Sequence, residues 1–191
     1  MELDHLFLAV PDRGACVDPL VAFGLTEGSG NRHEGQGTAN RRFFFPNLML
    51  EILWVEDERE ARSALTGPMG LFERCREAGA SPFGVGIRAE GPLSFPAWEY
   101  RPRYLGGGGC LRVGCGSGVQ EPLVFCLPEG VPSCGVRHVS EPRAWGESRV
   151  AEVELHPRQE VPLGTRLEAV IGLSGCRGVR GDRDLLVLRL E

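Results

Sequence analysis

The chain has 191 residues, 42% of them hydrophobic and 25% charged, with a formal net charge of −5. That composition suits one large domain or two small modules sharing a core, and the acidic balance argues against a nucleic-acid binder, which needs basic excess to neutralise phosphates. All 21 cationic residues are Arg. This excludes a Schiff-base lysine and suits ion-paired or anion-binding surfaces, although genomic codon bias alone explains it. The seven cysteines form no CxxC pair, and "MELDHLFLAVPD" lacks a signal peptide's basic n-region and long apolar h-region. Reduced thiols in a cytoplasmic protein are expected, and no apolar run approaches membrane-spanning length.

In chain order, "LDHLFLAV" predicts a buried strand ended by Pro11-Asp12. "RGACVDPLVAFGL" predicts a short helix stopped by Gly24, with Pro19 marking its first turn or a kink. An outer strand is expected around 25–27, then a flexible Gly-rich loop. "NRRFFFP" and "LMLEILWVED" predict two strands joined tightly through Pro46-Asn47. The first 57 residues therefore spell β-α-β-β-β.

"EREARSALTGPMGLFERCREAGAS" predicts a helical region broken near Gly67-Pro68, with Gly79 as its C-cap. Strands resume at "FGVGIR", "WEYRPRYL", "CLRVGC" and "PLVFCLP". The runs "GGGG" and "GCGSGVQE" between them predict flexible or hairpin connections and lack the features of a phosphate-binding loop. After a Pro/Arg-rich connector, the tail predicts the strand "RVAEVELH", a helix over 162–175 and the strand "RDLLVLRLE". The organisation expected is a first module over 1–57, a degenerate β-rich module over 58–130, and a β-α-β portion over 131–191 that completes the second half of one compact domain.

The candidate chemistry begins with two polar residues in apolar strands, His5 and Glu51. A buried carboxylate is costly unless it is paired, hydrogen-bonded or bound to a metal. Alternation puts Leu3, His5 and Phe7 on one side of the first strand, and Met49, Glu51 and Leu53 on one side of the last. Meeting on one concave face, His5 and Glu51 form either half of a divalent metal site or a satisfied His–carboxylate pair. Arg41 and Arg42 precede three Phe residues that include Phe44. Whichever Arg points inward offers a guanidinium beside an aromatic wall, a clamp for a carboxylate or phosphate. Asn40 either orients a ligand or caps the hairpin. Trp54 packs in the core by default and is otherwise a wall of the same site. His33, in the Gly-rich loop, is expected to be exposed, as is His138 in the connector. Cys126 reads as a small core residue.

Together, "LDHLFLAVPD", "HEGQGTANRRFFF" and "LMLEILWVED" resemble the glyoxalase-like branch of the vicinal oxygen chelate superfamily. That superfamily includes glyoxalase I, extradiol dioxygenases and metal-free bleomycin-resistance proteins. The resemblance is good over 1–57, weaker over 60–130 and faint in the tail. It implies an α+β fold of paired βαβββ modules forming a cupped mixed sheet, with an extra C-terminal β-α-β portion. It also implies a divalent ion held by His5 and Glu51, as far as the first module's contribution goes. The second module departs from the pattern: "FGVGIR" and "PLVFCLP" offer no second His or Glu.

Three functions follow as expectations. The first is glyoxalase-like lyase, isomerase or dioxygenase chemistry on a small oxygenated molecule, with Glu51 as the catalytic carboxylate. The second is a metal-free, sequestering small-molecule binder in which Asn40, Arg41, Arg42, Phe44 and Trp54 meet the ligand. The third is a non-catalytic module kept for homodimerisation. The expected partners are a small-molecule ligand and a second copy of the chain, with no nucleic acid and no membrane.

Overall fold

The computed structural model describes all residues except 106–107, 116–117, 157–164, 174 and 180–181, and the backbone alone at 165–166. The opening apolar run forms β1 (Glu2–Ala9). Helix α1 (Val17–Phe23) carries Pro19 in its first turn. It stops at Gly24, whose φ of 118° lets its N–H return to the carbonyls of Leu20 and Val21. Then come β2 (Asn31–His33), β3 (Thr38–Phe44) and β4 (Met49–Val55). The outer strand thus lies six residues beyond the expected 25–27. That segment makes only scattered bonds, from the Thr26 N–H to the Ala144 carbonyl and from the Gly28 N–H to the Arg42 carbonyl. Ladder pairing begins after Gly30.

The helical region divides into α2 (Glu58–Ala61), a 3-10 turn (Gly67–Met69) and α3 (Leu71–Arg76). The Asp57 carboxylate caps α2 by accepting the N–H groups of Arg59 and Glu60. The cap of α3 is Glu77, not Gly79, because the chain is already extended at Glu77. Next are β5 (Phe83–Arg88), β6 (Ala97–Tyr100), a 3-10 turn (Arg103–Leu105), β7 (Leu111–Gly114) and β8 (Leu123–Cys126). The connections expected in "GGGG" and "GCGSGVQE" lie partly outside the described residues, at 106–107 and 116–117. The tail holds α4 (Cys134–Arg137), β9 (Ala144–Glu147), β10 (Val150–His156), α5 (Thr165–Ile171), β11 (Cys176–Gly178) and β12 (Leu185–Leu190). The helix expected over 162–175 is described only from Thr165, apart from residue 174. No helix among the described residues is long and apolar enough to cross a membrane.

Eight strands form one sheet in the order β2-β3-β4-β1-β5-β8-β7-β6. The two halves mirror each other. Strands β1 and β4 pair in parallel, as do β5 and β8, and β1 meets β5 antiparallel at the centre. The second half has no helix between β5 and β6. The tail makes its own three-stranded sheet, β11-β10-β12, rather than adding to the large one.

Strand alternation sends the side chains of the large sheet into two cores. On one face Leu6, Phe43, Leu50, Ile52, Val85 and Val124 pack with Val153, Leu155, Leu167 and Val170 of the tail. On the other, Phe7, Leu53, Val113 and Phe125 meet Met69, Leu71 and Cys75 of the helical region. Glu51 belongs to this second, cupped face.

Candidate functional site

The cupped face holds a cavity of about 210 Å³. Met69, Leu71, Leu111, Val113, Leu123, Phe125 and Leu127 make an apolar wall, mostly from the second half and the helical cover. The opposite wall carries His5, His33, Gln36, Asn40, Arg42 and Glu51 from the first half, closed by Tyr104.

Glu51 is buried at the centre of β4. Its Oε1 accepts a hydrogen bond from Asn40 Nδ2 at 2.6 Å, and Asn40 Oδ1 in turn accepts the Asn31 backbone N–H at 2.7 Å. Asn40 is therefore locked in one orientation by the edge strand. His33 Nε2 lies 3.8 Å from the same Glu51 oxygen. The other ring nitrogen, Nδ1, is 2.9 Å from Thr38 Oγ1, which also accepts from Gln36 Nε2 at 2.8 Å; Tyr104 donates its hydroxyl to Gln36 Oε1 at 3.0 Å. One assignment satisfies every member. Thr38 receives from Gln36 and donates to His33 Nδ1, so the Nε2–H of His33 points at Glu51. Burial pushes the His33 pKa below its ordinary 6.5, against the pull of Glu51, which keeps the imidazole neutral in this chain of bonds. Oε2 of Glu51 makes no hydrogen bond within the described residues and is left to the cavity.

The Gly-rich loop explains why His33 is here and not exposed as expected. Residues 33–38 form a tight turn between β2 and β3, with the N–H groups of Gln36 and Gly37 both returning to the His33 carbonyl. Gly37 sits at φ 74°, and a Cβ there would meet the Asp57 carbonyl at 2.2 Å. Only glycine lets the loop press against the cap of α2 and carry His33 inward.

His5 and Glu51 share this hollow, but no hydrogen bond or ion pair joins them. The partners of Glu51 are Asn40 and His33, and His5 Nδ1 lies 3.1 Å from Asp4 Oδ1. The pairing of His5 with Glu51 is thereby corrected: in the ladder His5 stands opposite Met49, while Glu51 stands opposite Phe7, two residues along.

Of the two arginines, Arg42 faces inward. It sits across the β3–β4 ladder from Glu51, its Nε and Nη2 bound to Ser29 and its guanidinium 5.1 Å from the Phe44 ring centre. Burial lowers its pKa, opposed by Glu51 and Glu141. Arg41 points to the other face, where Glu27, Asp18 and the Gly14 carbonyl take its donors. Trp54 shares that face and gives its indole N–H to Glu56. Phe44 is fully buried with Met49 and Cys134 and does not line the cavity. Arg41, Trp54 and Phe44 are thus corrected as wall residues. His33, Gln36 and Tyr104 join the wall without having been expected there. The turn-forming glycines flanking Gln36 were a signal for the first two; Tyr104, beside a glycine run, gave none.

The resemblance to the superfamily implies a divalent ion on His5 and Glu51. Such centres need three or more protein donors. The cavity-facing pairs of β5 and β8 are Gly84–Leu123 and Gly86–Phe125, none of which can ligate. No group of three His, Cys, Asp or Glu among the described residues is placed to hold a metal ion. The donor set does not fit that centre.

Residues 3–92 match the model of a glyoxalase-like domain. This segment, just under half of the chain, is similar to a glyoxalase-like domain. It covers β1 to β5 and hence every polar wall residue except Tyr104. No curated protein matches the sequence. Among solved structures, a hypothetical protein from Staphylococcus aureus is similar in fold, with a TM-score of 0.51 at 12% identity, over 82% of this chain and 69% of that one. A hypothetical protein from Bacillus halodurans gives 0.45 at 11% identity over 69% and 96% of the two chains. Methylmalonyl-CoA epimerase from Mycobacterium tuberculosis gives 0.41 at 11% identity over 66% and 86%.

Proposed function

We propose that the glyoxalase-like cavity binds, without a metal ion, a small oxygenated molecule. This ligand carries a hydroxyl or amine beside a carbonyl or carboxylate oxygen, on a short apolar body. The observation that carries the reading is the division of the cavity into an apolar wall and a wall where a free Glu51 oxygen stands across one ladder pair from Arg42. A carboxylate and a guanidinium held apart in a low-dielectric site accept complementary ends of one molecule. Glu51 receives the O–H or N–H, Arg42 the oxygen, and the aliphatic part lies against Leu123 and Phe125. At about 210 Å³, the cavity is smaller than the ~300–1,000 Å³ of drug-sized pockets, so the ligand is correspondingly small. Glu51 is also the group placed to take a proton from such a ligand, because Asn40 and His33 hold one of its oxygens while the other stays free.

The test pairs two measurements on the full chain. Metal content after purification without chelator is expected to be far below one ion per chain. Calorimetric titration with 2-hydroxy-3-methylbutanoate is expected to show binding that its deoxy analogue, 3-methylbutanoate, loses about tenfold. Stoichiometric metal that is lost in His5→Ala would overturn the metal-free reading, and equal affinity for the two acids would overturn the role given to Glu51.

A further inference from the structure

Strand β1 carries an irregularity where it meets β5. Leu3 pairs with Ile87 and His5 with the adjacent Gly86, so Asp4 is an extra residue in the ladder. A bulge re-aims the side chains beside it. Here it brings the side chain of Asp4 to the ring of its neighbour, Nδ1 to Oδ1 at 3.1 Å. The Asp4 carboxylate is wholly buried, and Arg137 of α4 grips it with both terminal nitrogens, at 2.6 Å and 3.0 Å; Arg88 Nε lies 3.3 Å away. Burial would raise its pKa, but the bonds from His5 and Arg137 bring it down to about 2. An ionised carboxylate only accepts, so the imidazole nitrogen facing it must carry the hydrogen.

The ring is also fixed in space. It lies over Gly86, where a Cβ would stand 2.6–2.9 Å from three of its atoms. It also meets Phe125 edge-on, with 5.0 Å between ring centres. Nε2 of His5 has no hydrogen-bond partner within the described residues, and the side chain lines the cavity.

We infer that Asp4 and Arg137 are positioning residues that fix the tautomer of His5: in the neutral ring the hydrogen is held on Nδ1, and the bare Nε2 lone pair faces the cavity as a fixed acceptor. The inference rests on the cavity reading above only for the ligand it would serve. His33 is set the opposite way, with Thr38 on Nδ1 and the Nε2–H toward Glu51. The two imidazoles thus divide the work, one accepting and one donating. Among the described residues, Glu51 Oε2 and His5 Nε2 are then two cavity acceptors with no hydrogen bond of their own. A ligand with two adjacent O–H or N–H groups, such as a vicinal diol or a hydroxyamine, satisfies both. Arg137 lies beyond the glyoxalase-like segment, so the tail takes part in shaping the site.

Long-range nitrogen–proton correlation spectra of the full chain read each imidazole tautomer directly, and only four histidines contribute. His5 is assigned by its loss in His5→Gln. The expected result at pH 8 is a protonated Nδ1 and a bare Nε2 for His5, with the reverse for His33. In Arg137→Ala, His5 should become a tautomer mixture while His33 keeps its pattern. Arg137→Lys should retain more of the single form. A His5 found as Nε2–H in the unmodified chain would overturn the inference whether or not any variant folds. So would a His5 pattern left unchanged in folded Arg137→Ala. Because these spectra need no ligand, their failure is distinct from a failure of the hydroxy acid to bind.

Discussion

The two halves of the large sheet share a strand order and differ in what they point into the cup. Strands β1 to β4 present His5, His33, Asn40, Arg42 and Glu51 beside the apolar Phe7, Met49 and Leu53, whereas β7 and β8 present only Leu111, Val113, Leu123 and Phe125. A backbone pattern repeated with different chemistry yields one polar and one apolar wall, which suits an amphipathic ligand. The halves are also sterically interlocked. The rings of His5 and Phe7 lie on the two glycines of β5, and a Cβ at Gly84 would fall 1.9 Å from the Phe7 ring.

The sharpest way to break this arrangement is at the apolar wall. Phe125 is buried against His5 and Phe7. Phe125→Ala should cost about 3–5 kcal/mol in chemical denaturation, from lost burial and the void left behind. Gly84→Ala should cost about 1–3 kcal/mol, because the Phe7 ring has to leave its seat. A cost below about 0.5 kcal/mol would show that the rings are not seated on glycine.

At the polar wall, Glu51→Gln keeps shape and removes charge. Asn40 then faces an amide in place of a carboxylate, and binding of 2-hydroxy-3-methylbutanoate should weaken about 10- to 100-fold, while folding stability changes less than in Phe125→Ala. Loss of binding in Phe125→Ala alone, with Glu51→Gln unchanged, would move recognition to the apolar half.

Acid should separate the halves further, because Asp4 and His33, whose pKa values the fold lowers, are both in the first. The pKa of Asp4 lies near 2 in the fold against an ordinary 3.8. Its contribution is present above pH 3.8 and is lost as pH falls toward 2, about 2 kcal/mol in all. His33, its pKa lowered by burial, acts at higher pH. The unfolded chain takes up that proton below pH 6.5 before the folded chain does, so stability already declines as pH falls through 6.5. Urea unfolding from pH 8 to pH 2 checks both windows, and His33→Gln should flatten the upper one.

How much of this was legible in the sequence depends on what kind of constraint each feature obeys. The strands around His5 and Glu51 follow a period of two in apolar residues, so their existence and their inward face could be read locally. The position of β2 could not, because three residues of a polar edge strand carry no hydrophobic pattern and are fixed by a turn that only Gly37 permits. The partners of the two singular residues were hidden for a different reason. Asn40 and His33 reach Glu51 across a ladder, and Asp4 is held by a residue 133 positions away. The β-bulge that turns Asp4 toward His5 has no sequence mark.

The smallest expected effect is also the cleanest test of which face is the site. Arg41 and Arg42 are adjacent, so alternation sends them to opposite sides of β3. Arg41 spends its donors on Glu27, Asp18 and Gly14, tying α1 and the following segment to the sheet. Its side chain and that of Glu27 are each 26% exposed and that of Asp18 74%, so solvent screens these pairs. Arg41→Ala should therefore cost about 1 kcal/mol or less and leave hydroxy-acid affinity unchanged. Arg42→Ala should reverse that pattern: the β3–β4 ladder is backbone-made and survives, but the ligand oxygen loses its cation, and affinity should fall about tenfold or more. If Arg41→Ala weakened binding as much as Arg42→Ala, the cup would not be the binding face. A ligand site on the opposite face, around Trp54 and α1, would then take its place.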